Sequence, residues 1–466
     1  MRLAQKISAI IPGLIALACA THYELTYDFN RNFERGNLDA AIHSLESRTN
    51  QRVYNRDRFL MYVNKGLVYS MVGDYDQSNY FLEKAYIFGE DFSINYFGEA
   101  ATFFTNPGVV VYRGEDHEHL MLLYYKAINF MKMGNYEAAL VECRRLNIRL
   151  NQLSDKYTSE NRYSRDAFIH NLMGIIYQAN NDYNNAFIAY RNAYNIYQED
   201  YYRLFEVEAP DQLKRDLLFT ARRTGLRQEY EQYLNEFSDI EPELSNSGAA
   251  DLVFFWHNGL APVKAEWGIN FIMDHSRNGY VVFQNEQMNM SFPFWLGDYQ
   301  SDERNTLDRM QVLRVTFPRY VERRPAYTQA RLKMNDQVQT LQLAQDINKI
   351  AFYTLQQRMH WEFSKSLARA ALKKGGELLL RREDETLGAA LGLLNALTEK
   401  ADTRNWQTLP YSIYYTRLPL QEGMNEVEFQ MGNTRTQVMS TYNFQYKVSR
   451  GETLFHTFSS LESQLF

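Results

Sequence analysis

The chain has 466 residues, room for about three domains at roughly 150 residues each. Apolar residues make up 45% and charged residues 23%, which excludes wholesale disorder, collagen-like repeats and a multi-pass membrane protein. With 50 Lys and Arg against 56 Asp and Glu the net charge is −6, so nucleic acid is not expected as a partner, and only 10 prolines leave room for long helices.

Residues 1–18 read as an export signal: Arg2 and Lys6 precede an apolar run from Ile7 to Ala18 that is too short for the ~20 residues a membrane helix needs. Ala16 and Ala18 suit a signal peptidase, and Cys19 follows directly. This resembles a lipobox, with Ala16 where leucine is preferred, and predicts lipidation of Cys19. Several acyl chains would hold the protein on a membrane stably. Ala20, in place of an aspartate, implies by resemblance to the sorting rule of enteric-type bacteria the periplasmic face of the outer membrane. The other cysteine, Cys143, is expected as a small buried residue on an amphipathic helix.

From 19 to 240 four segments share one pattern: Phe33 to Ala41, Val72 to Tyr75, Met133 to Ala139 and Asn181 to Ala186. Each reads as helix, tight turn, helix. Gly174, Tyr177, Tyr183, Ala186, Tyr190 and Ala193, like Gly66, Tyr69, Gly73, Tyr75, Ser78 and Ala85, follow the small and aromatic spacing of tetratricopeptide (TPR) repeats. Small residues let paired helices approach and tyrosines fill the space beside them. The turns at Gly36, Gly73, Gly134 and Asn181 lie 37, 61 and 47 residues apart, so the TPR-like solenoid is irregular. The longest interval holds Thr105 to Asp116, a loop before helix resumes near His117. Stacked hairpins commonly form a groove for a peptide or protein.

A linker is expected at 241–250, and from 251 to 466 the periodicity changes. Leu252 to Trp256, Tyr280 to Gln284, Val312 to Phe317, Thr328 to Met334, Val338 to Leu343, Ser412 to Leu418, Glu426 to Met431 and Val438 to Val448 read as strands, with turns at Asn335-Asp336, Glu422-Gly423 and Arg450-Gly451. Helix is expected over about 346–400. The fold class is therefore α+β: a TPR-like α-helical solenoid followed by a β-rich, antiparallel, sandwich-like domain with a helical insertion. Within that insertion Leu387 to Leu397 is apolar but too short to cross a membrane.

No Gly-x-Ser-x-Gly elbow, phosphate-binding loop or His-Glu-x-x-His helix is present, so no catalytic residue, cofactor or metal is assigned and the chain is read as non-enzymatic. His117-Glu118-His119 reads as a solvated helix start, because residues two apart on a helix point in different directions.

Tyr112-Arg113-Gly114-Glu115-Asp116, Asn258 to Lys264, Pro318-Arg319-Tyr320-Val321 and above all Ala401-Asp402-Thr403-Arg404-Asn405-Trp406-Gln407-Thr408-Leu409-Pro410 together resemble a family of poorly characterised bacterial envelope lipoproteins with a TPR-like N-terminal half and a β-rich C-terminal half. The stretch from Trp267 to Arg309 reads as an insertion relative to that pattern. The resemblance implies an envelope lipoprotein linked to the peptidoglycan synthesis machinery, and supplies no catalytic residues. From the residues themselves, Asp402 and Arg404 can pair across a turn while Trp406 fills a seam. Alternatively, with Arg113, Glu115 and Asp116 they can grip a peptide or sugar carboxylate. The expected function is an outer-membrane scaffold or adaptor whose helical repeats bind another envelope protein or peptide. The alternative is a lipoprotein that binds or acts on glycan or peptidoglycan through its β domain.

Overall fold

The computed structural model describes residues 22–47, 56–91, 111–156, 163, 165–240, 249–275, 280–285, 290–295, 312–359, 363, 366–367, 401–433, 435–461 and 463–465. The signal segment, Cys19, residues 241–248 of the expected linker, residues 105–110 of the Thr105 to Asp116 loop and the 368–400 part of the expected helical insertion lie outside them.

After a helical turn at His22–Leu25, the N-terminal half is built of hairpins: α1 (Tyr27–Glu34) with α2 (Leu38–Glu46), α3 (Arg58–Val72) with α4 (Tyr75–Asp91), α5 (Asp116–Lys132) with α6 (Tyr136–Lys156), α7 (Ala167–Ala179) with α8 (Tyr183–Ile196), and α9 (Asp211–Arg223) with α10 (Arg227–Glu236). One chemistry recurs at the turns. Gly73, Gly134 and Asn181 adopt positive φ of 88°, 71° and 61°, the left-handed conformation that ends a helix. The next residue then starts the following helix: the Asp74, Asn135 and Asp182 side chains accept from the amides of Gln77, Ala138 and Asn185 at 3.1, 3.1 and 3.2 Å, covering amides that a helix start leaves unpaired. The fifth hairpin, not anticipated from sequence, turns at Gly225 (φ 76°) and continues with Leu226, which has no such cap.

The small residues act where the repeat spacing put them. Gly66 faces Leu82 and Ser78, whose hydroxyl donates to the Gly66 carbonyl at 2.6 Å, and Gly174 lies flat against the ring of Tyr190. Cys143 is fully buried, and burial pushes its thiol well above its ordinary pKa. Past α8 the helix widens into a π turn over Tyr197–Tyr201.

The C-terminal half forms sheets. β1 (Ala250–Asn258), β9 (Gln342–Asp346), β10 (Ser412–Leu420) and β13 (Thr453–Ser460) make one sheet in the order β13-β1-β10-β9. β7 (Gln329–Met334), β8 (Gln337–Thr340), β11 (Gly423–Asn433) and β12 (Val438–Val448) make a second in the order β12-β11-β7-β8. β2 (Val263–His275), β3 (Tyr280–Asn285), β4 (Met290–Trp295) and β5 (Val312–Val321) make a third, and β6 (Arg323–Pro325) pairs with β14 (Ser463–Leu465). The third sheet occupies much of the stretch read as an insertion. Pairing is antiparallel as expected, except that β1 and β13 run parallel. The Val338 to Leu343 run is split between β8 and β9, and helix α11 follows over 347–359.

β1 explains how the halves join. Leu252, Phe254 and Trp256 point to the second sheet, where Phe254 meets Phe429 at 4.8 Å between ring centres, while Val253 and Phe255 point to the helices. A strand buried on both faces reads as a continuous apolar run, as Leu252 to Trp256 does. The molecule is thus layered as helices, first sheet, second sheet. One hydrophobic core runs from Phe29 through Tyr124, Phe168 and Tyr190 to Phe255, Trp406 and Tyr415, drawing on residues from both sides of 241–250, while separate clusters lie between the first and second sheets and on the third sheet.

Because a β-carbon added at Gly174 would sit 2.4 Å from the Tyr190 ring, Gly174→Ala should destabilise the protein by about 1–3 kcal/mol through overpacking. Urea unfolding monitored by ellipticity checks this.

Candidate functional site: the seam between the halves

The four stretches that carry the family resemblance, far apart in sequence, meet at one place where the start of α5 abuts the segment 401–411. The sheet contributes through the β2–β5 pair, whose register sets Lys264 opposite Tyr320, with the Lys264 ammonium 5.5 Å from the centre of the Tyr320 ring. The helical half contributes Tyr112, Glu115 and Glu118.

Expected at a solvated helix start, His117, Glu118 and His119 are instead buried, at 6%, 0% and 5% exposure. The reason is tertiary: α5 is covered by α3, α4 and α6 and by the first sheet, so even its first turn meets protein. Burial lowers both imidazole pKa values to about 4, and His119 Nε2 lies 2.8 Å from the Arg113 carbonyl. Among the described residues no group of three His, Cys, Asp or Glu side chains is placed to hold a metal ion.

Glu118 is the centre of the seam. One carboxylate oxygen accepts from the Trp406 amide at 2.6 Å; the other accepts from the Tyr112 hydroxyl and from the Glu115 amide, each at 2.9 Å. The last bond is the return half of a capping box, from the third residue of α5 to the residue that precedes the helix. Burial, reinforced by the neighbouring Glu115 charge, raises the Glu118 pKa to about 7. Glu115 behaves oppositely. Burial disfavours its charge, but Arg358 and Lys264 each pair with it and hold it well below the usual carboxylate range.

Arg404 sits beside this pair of glutamates. Its Nε and one terminal nitrogen donate to both oxygens of Asp402 at 2.8 Å, and its other terminal nitrogen donates to Asp57 at 2.9 Å. Its guanidinium also lies 5.1 Å from the centre of the Tyr112 ring. Burial opposes the charge of Asp402, but Arg404 outweighs it and lowers the carboxyl's pKa. Asp57 also meets His22 at 3.5 Å, and the His22 amide donates to Thr403 Oγ1 at 3.1 Å. Trp406 is 1% exposed, its indole N–H donating to Thr408 at 2.9 Å.

The rest of the segment is held as tightly. Gln407 donates to Asn30 of α1 at 2.9 Å and Thr408 to Asn64 of α3 at 2.6 Å. Buried Arg323 donates to the Ala261 carbonyl at 2.7 Å, to Glu34 of α1 at 2.9 Å, and to the Gln407 carbonyl. Farther along, Tyr197 and Tyr201 of the π turn donate to the Ala344 carbonyl and to Gln345 at 2.7 and 2.9 Å.

The structure therefore brings Asp402, Arg404 and Trp406 together with Glu115, but Glu115 is paired to Lys264 and Arg358 rather than to Arg404. Arg113 is half-buried and offers its carbonyl to His119, and half-buried Asp116 begins α5. The polar groups that a carboxylate ligand would need are engaged with one another, so the arrangement joins the halves. Sequence reasoning missed Glu118, Asp57, Arg323 and Arg358. Glu118 carried a usable signal, since Glu115-x-x-Glu118 at a helix start has the spacing of a capping box; Asp57 and Arg358 carried none.

A pocket of about 390 Å³ opens on the outer face of the second sheet, lined by Gln329, Arg331, Thr340, Gln430, Gly432 and Met439 among others. Its described lining has no aromatic ring on which a sugar could stack, and Arg331 donates to Gln430 at 2.6 Å.

No protein-family model matches the sequence, and no curated protein matches it. Among solved structures, a crystal structure of MamA protein is 14% identical over 48% of this chain and 93% of its own, with a TM-score of 0.30. BtubC from P. vanneervenii is 16% identical over 51% of this chain and 85% of its own (TM-score 0.33). A putative kinesin light chain with nearly identical TPR-like repeats from Podosopora anserina is 16% identical over 48% of this chain and 96% of its own (TM-score 0.30). The hairpin architecture follows from the turns and packing described above and not from these likenesses.

The seam can be tested at two of its charges. Arg404→Ala leaves Asp57 and Asp402 without their cation and should cost about 3–5 kcal/mol, read as a lowered melting temperature; an unchanged one contradicts the joining role. Glu118 has a folded pKa of about 7 against an ordinary 4.5, so the folded state binds the extra proton between those values and stability falls as pH rises through that window. Glu118→Gln cannot titrate, so its stability measured from pH 4.5 to 7 should lack that component of the fall.

Proposed function

We propose that this chain is a non-enzymatic, lipid-anchored scaffold of the cell envelope, held by Cys19 on the periplasmic face of the outer membrane, which presents its helical hairpins to another envelope protein. The supports for the address are the signal-like first 18 residues, Cys19 and the family resemblance. His22 is fixed in the seam by Asp57 and Thr403, and three residues of chain reach at most about 11 Å. A lipid on Cys19 would therefore hold the seam close to the membrane surface.

The observation that carries the scaffold reading is the distribution of exposed apolar side chains. The first helix of each hairpin faces the C-terminal half: Asn30 in α1, Asn64 in α3, Tyr124 in α5, Asn171 in α7 and Asp211 in α9 all bond to it. This inward face, the natural place for a bound peptide in a hairpin array, is filled by the chain's own sheet and 401–411 segment. The second helices look outward. Tyr80 and Ile87 are two turns apart on α4, Val141 and Ile148 two turns apart on α6, and Ile188 lies on α8, at 51%, 49%, 42%, 57% and 45% exposure. Ion pairs Arg145–Glu83 and Arg149–Glu90, at 3.0 and 3.1 Å, tie α4 to α6, so charged groups and exposed apolar side chains share the surface of these two helices. On the proposed reading these exposed apolar side chains are the contacts offered to a partner protein. A partner in the peptidoglycan synthesis machinery fits the compartment and the resemblance.

Tyr80→Glu combined with Ile148→Glu should abolish capture of the partner from cross-linked envelopes. As surface changes they should alter stability by no more than about 0.5 kcal/mol each; a double variant that folds and still captures the same proteins counts against this face. For the address, Cys19→Ala should remove the protein from the outer-membrane fraction, and a variant that stays in that fraction contradicts lipid anchoring.

A further inference from the structure

The second sheet ends, among the described residues, at β12. β12 pairs with β11 through eleven successive residues, from Val438 opposite Asn433 to Val448 opposite Gly423, with no break in register. It contains no proline, and Lys447 is its one charged residue. Edge strands are normally blunted by charges, prolines, bulges or covering segments, because a straight edge offers unpaired amides and carbonyls to another strand. β12 carries one charge near one end and is otherwise Val, Met, Ser, Thr, Tyr, Asn, Phe and Gln.

We propose that β12 is a self-association edge, pairing antiparallel with β12 of a second copy of this chain about a two-fold axis at Asn443. The register that pairs all eleven residues sets each position opposite the one equally far beyond 443: Val438 against Val448, Met439 against Lys447, Thr441 against Gln445. Three features favour a second copy over an unrelated strand. The single charge never meets itself, because Lys447 falls opposite Met439. Met439 and Met424 are 65% and 62% exposed, and Met424 sits opposite Lys447 within the β11–β12 pair. Across the axis they would make one row, Met439 of one copy, then Lys447 and Met424 of the other, covering two exposed methionines with the aliphatic stem of a lysine. On the inner face, Tyr442 would lie opposite Phe444 of the second copy, extending the aromatic layer that each already forms with Phe458. Aromatic cross-strand pairs are among the stabilising contacts of a sheet.

The test uses the full-length lipidated protein in its own membranes. Asn443→Cys puts two thiols at the two-fold axis, with Cα atoms about 4.5–5.5 Å apart in an antiparallel pair, within disulfide reach. Oxidation should give a cross-linked dimer, while Thr441→Cys, facing Gln445, should cross-link several-fold less. Asn443→Lys provides the converse. Within one chain residue 443 faces Glu428, so a lysine there is favourable, but at the axis two lysines oppose each other. Co-purification of two differently tagged copies should be lost in Asn443→Lys at an unchanged melting temperature. No cross-link in Asn443→Cys, equal yields from the two cysteine variants, or co-purification that survives Asn443→Lys would overturn the proposal.

Discussion

A tryptophan amide buried at the junction of two structural layers must find an acceptor, and Glu118 supplies it. The seam between the helices and the sheets is arranged around that bond. Burying Trp406 removes a large apolar surface from water, but it also buries the backbone that carries the ring, and an unpaired amide in such a place costs about 1–3 kcal/mol. A carboxylate that also accepts from Tyr112 and caps its own helix answers several demands at once, at the cost of a charge held away from water. Burial and the neighbouring Glu115 charge raise this carboxyl's pKa to about 7, which lessens that cost, while Glu115 itself is paired with two cations. Two glutamates three residues apart thus have opposite titration behaviour, set by which of them has cationic partners.

This junction also explains why the helices and sheets share one core. Tetratricopeptide-like hairpins bury one side against their neighbours and leave the face of their first helices open, usually for a ligand. Here that face is apolar and amide-rich because its ligand is the rest of the chain. α5, almost wholly buried, cannot be stable in that form without the sheet. β1, apolar on both faces, cannot be stable without the helices. Each half therefore completes the other.

The helical half was largely legible. A glycine or asparagine followed by Asp or Asn announces a left-handed helix end and a cap in successive residues, as at Gly73-Asp74 and Asn181-Asp182, and such local chemistry does not depend on what packs nearby. The fifth hairpin escaped because Leu226 follows Gly225 with no capping side chain. Leu252 to Trp256 could be read as a strand, but only the structure shows what covers its two faces. β2 alternates through Val263, Ala265, Trp267, Ile269 and Phe271, yet its continuation looked like an insertion because nothing in the sequence marks its pairing with β5 some fifty residues later. The parallel pairing of β1 with β13 joins the two ends of the C-terminal half and has no local signature. At the seam the residue types were visible but their partners were not. Asp402 and Arg404 could pair across a turn, as they do; that Arg404 also takes Asp57, that Lys264 and Arg358 share Glu115, and that His117 and His119 are buried all depend on contacts between distant parts of the chain.

The central claim, that the two halves stand or fall together through this seam, can be measured without altering the protein. All five tryptophans (256, 267, 295, 361 and 406) lie in the C-terminal half, whereas most of the described helix lies in the N-terminal half, so fluorescence and far-ultraviolet ellipticity report on different parts of the molecule. Followed together through denaturant unfolding, the two signals should change in one coincident transition. Two separate transitions, with ellipticity lost at a denaturant concentration that leaves tryptophan emission native or the reverse, would contradict the claim.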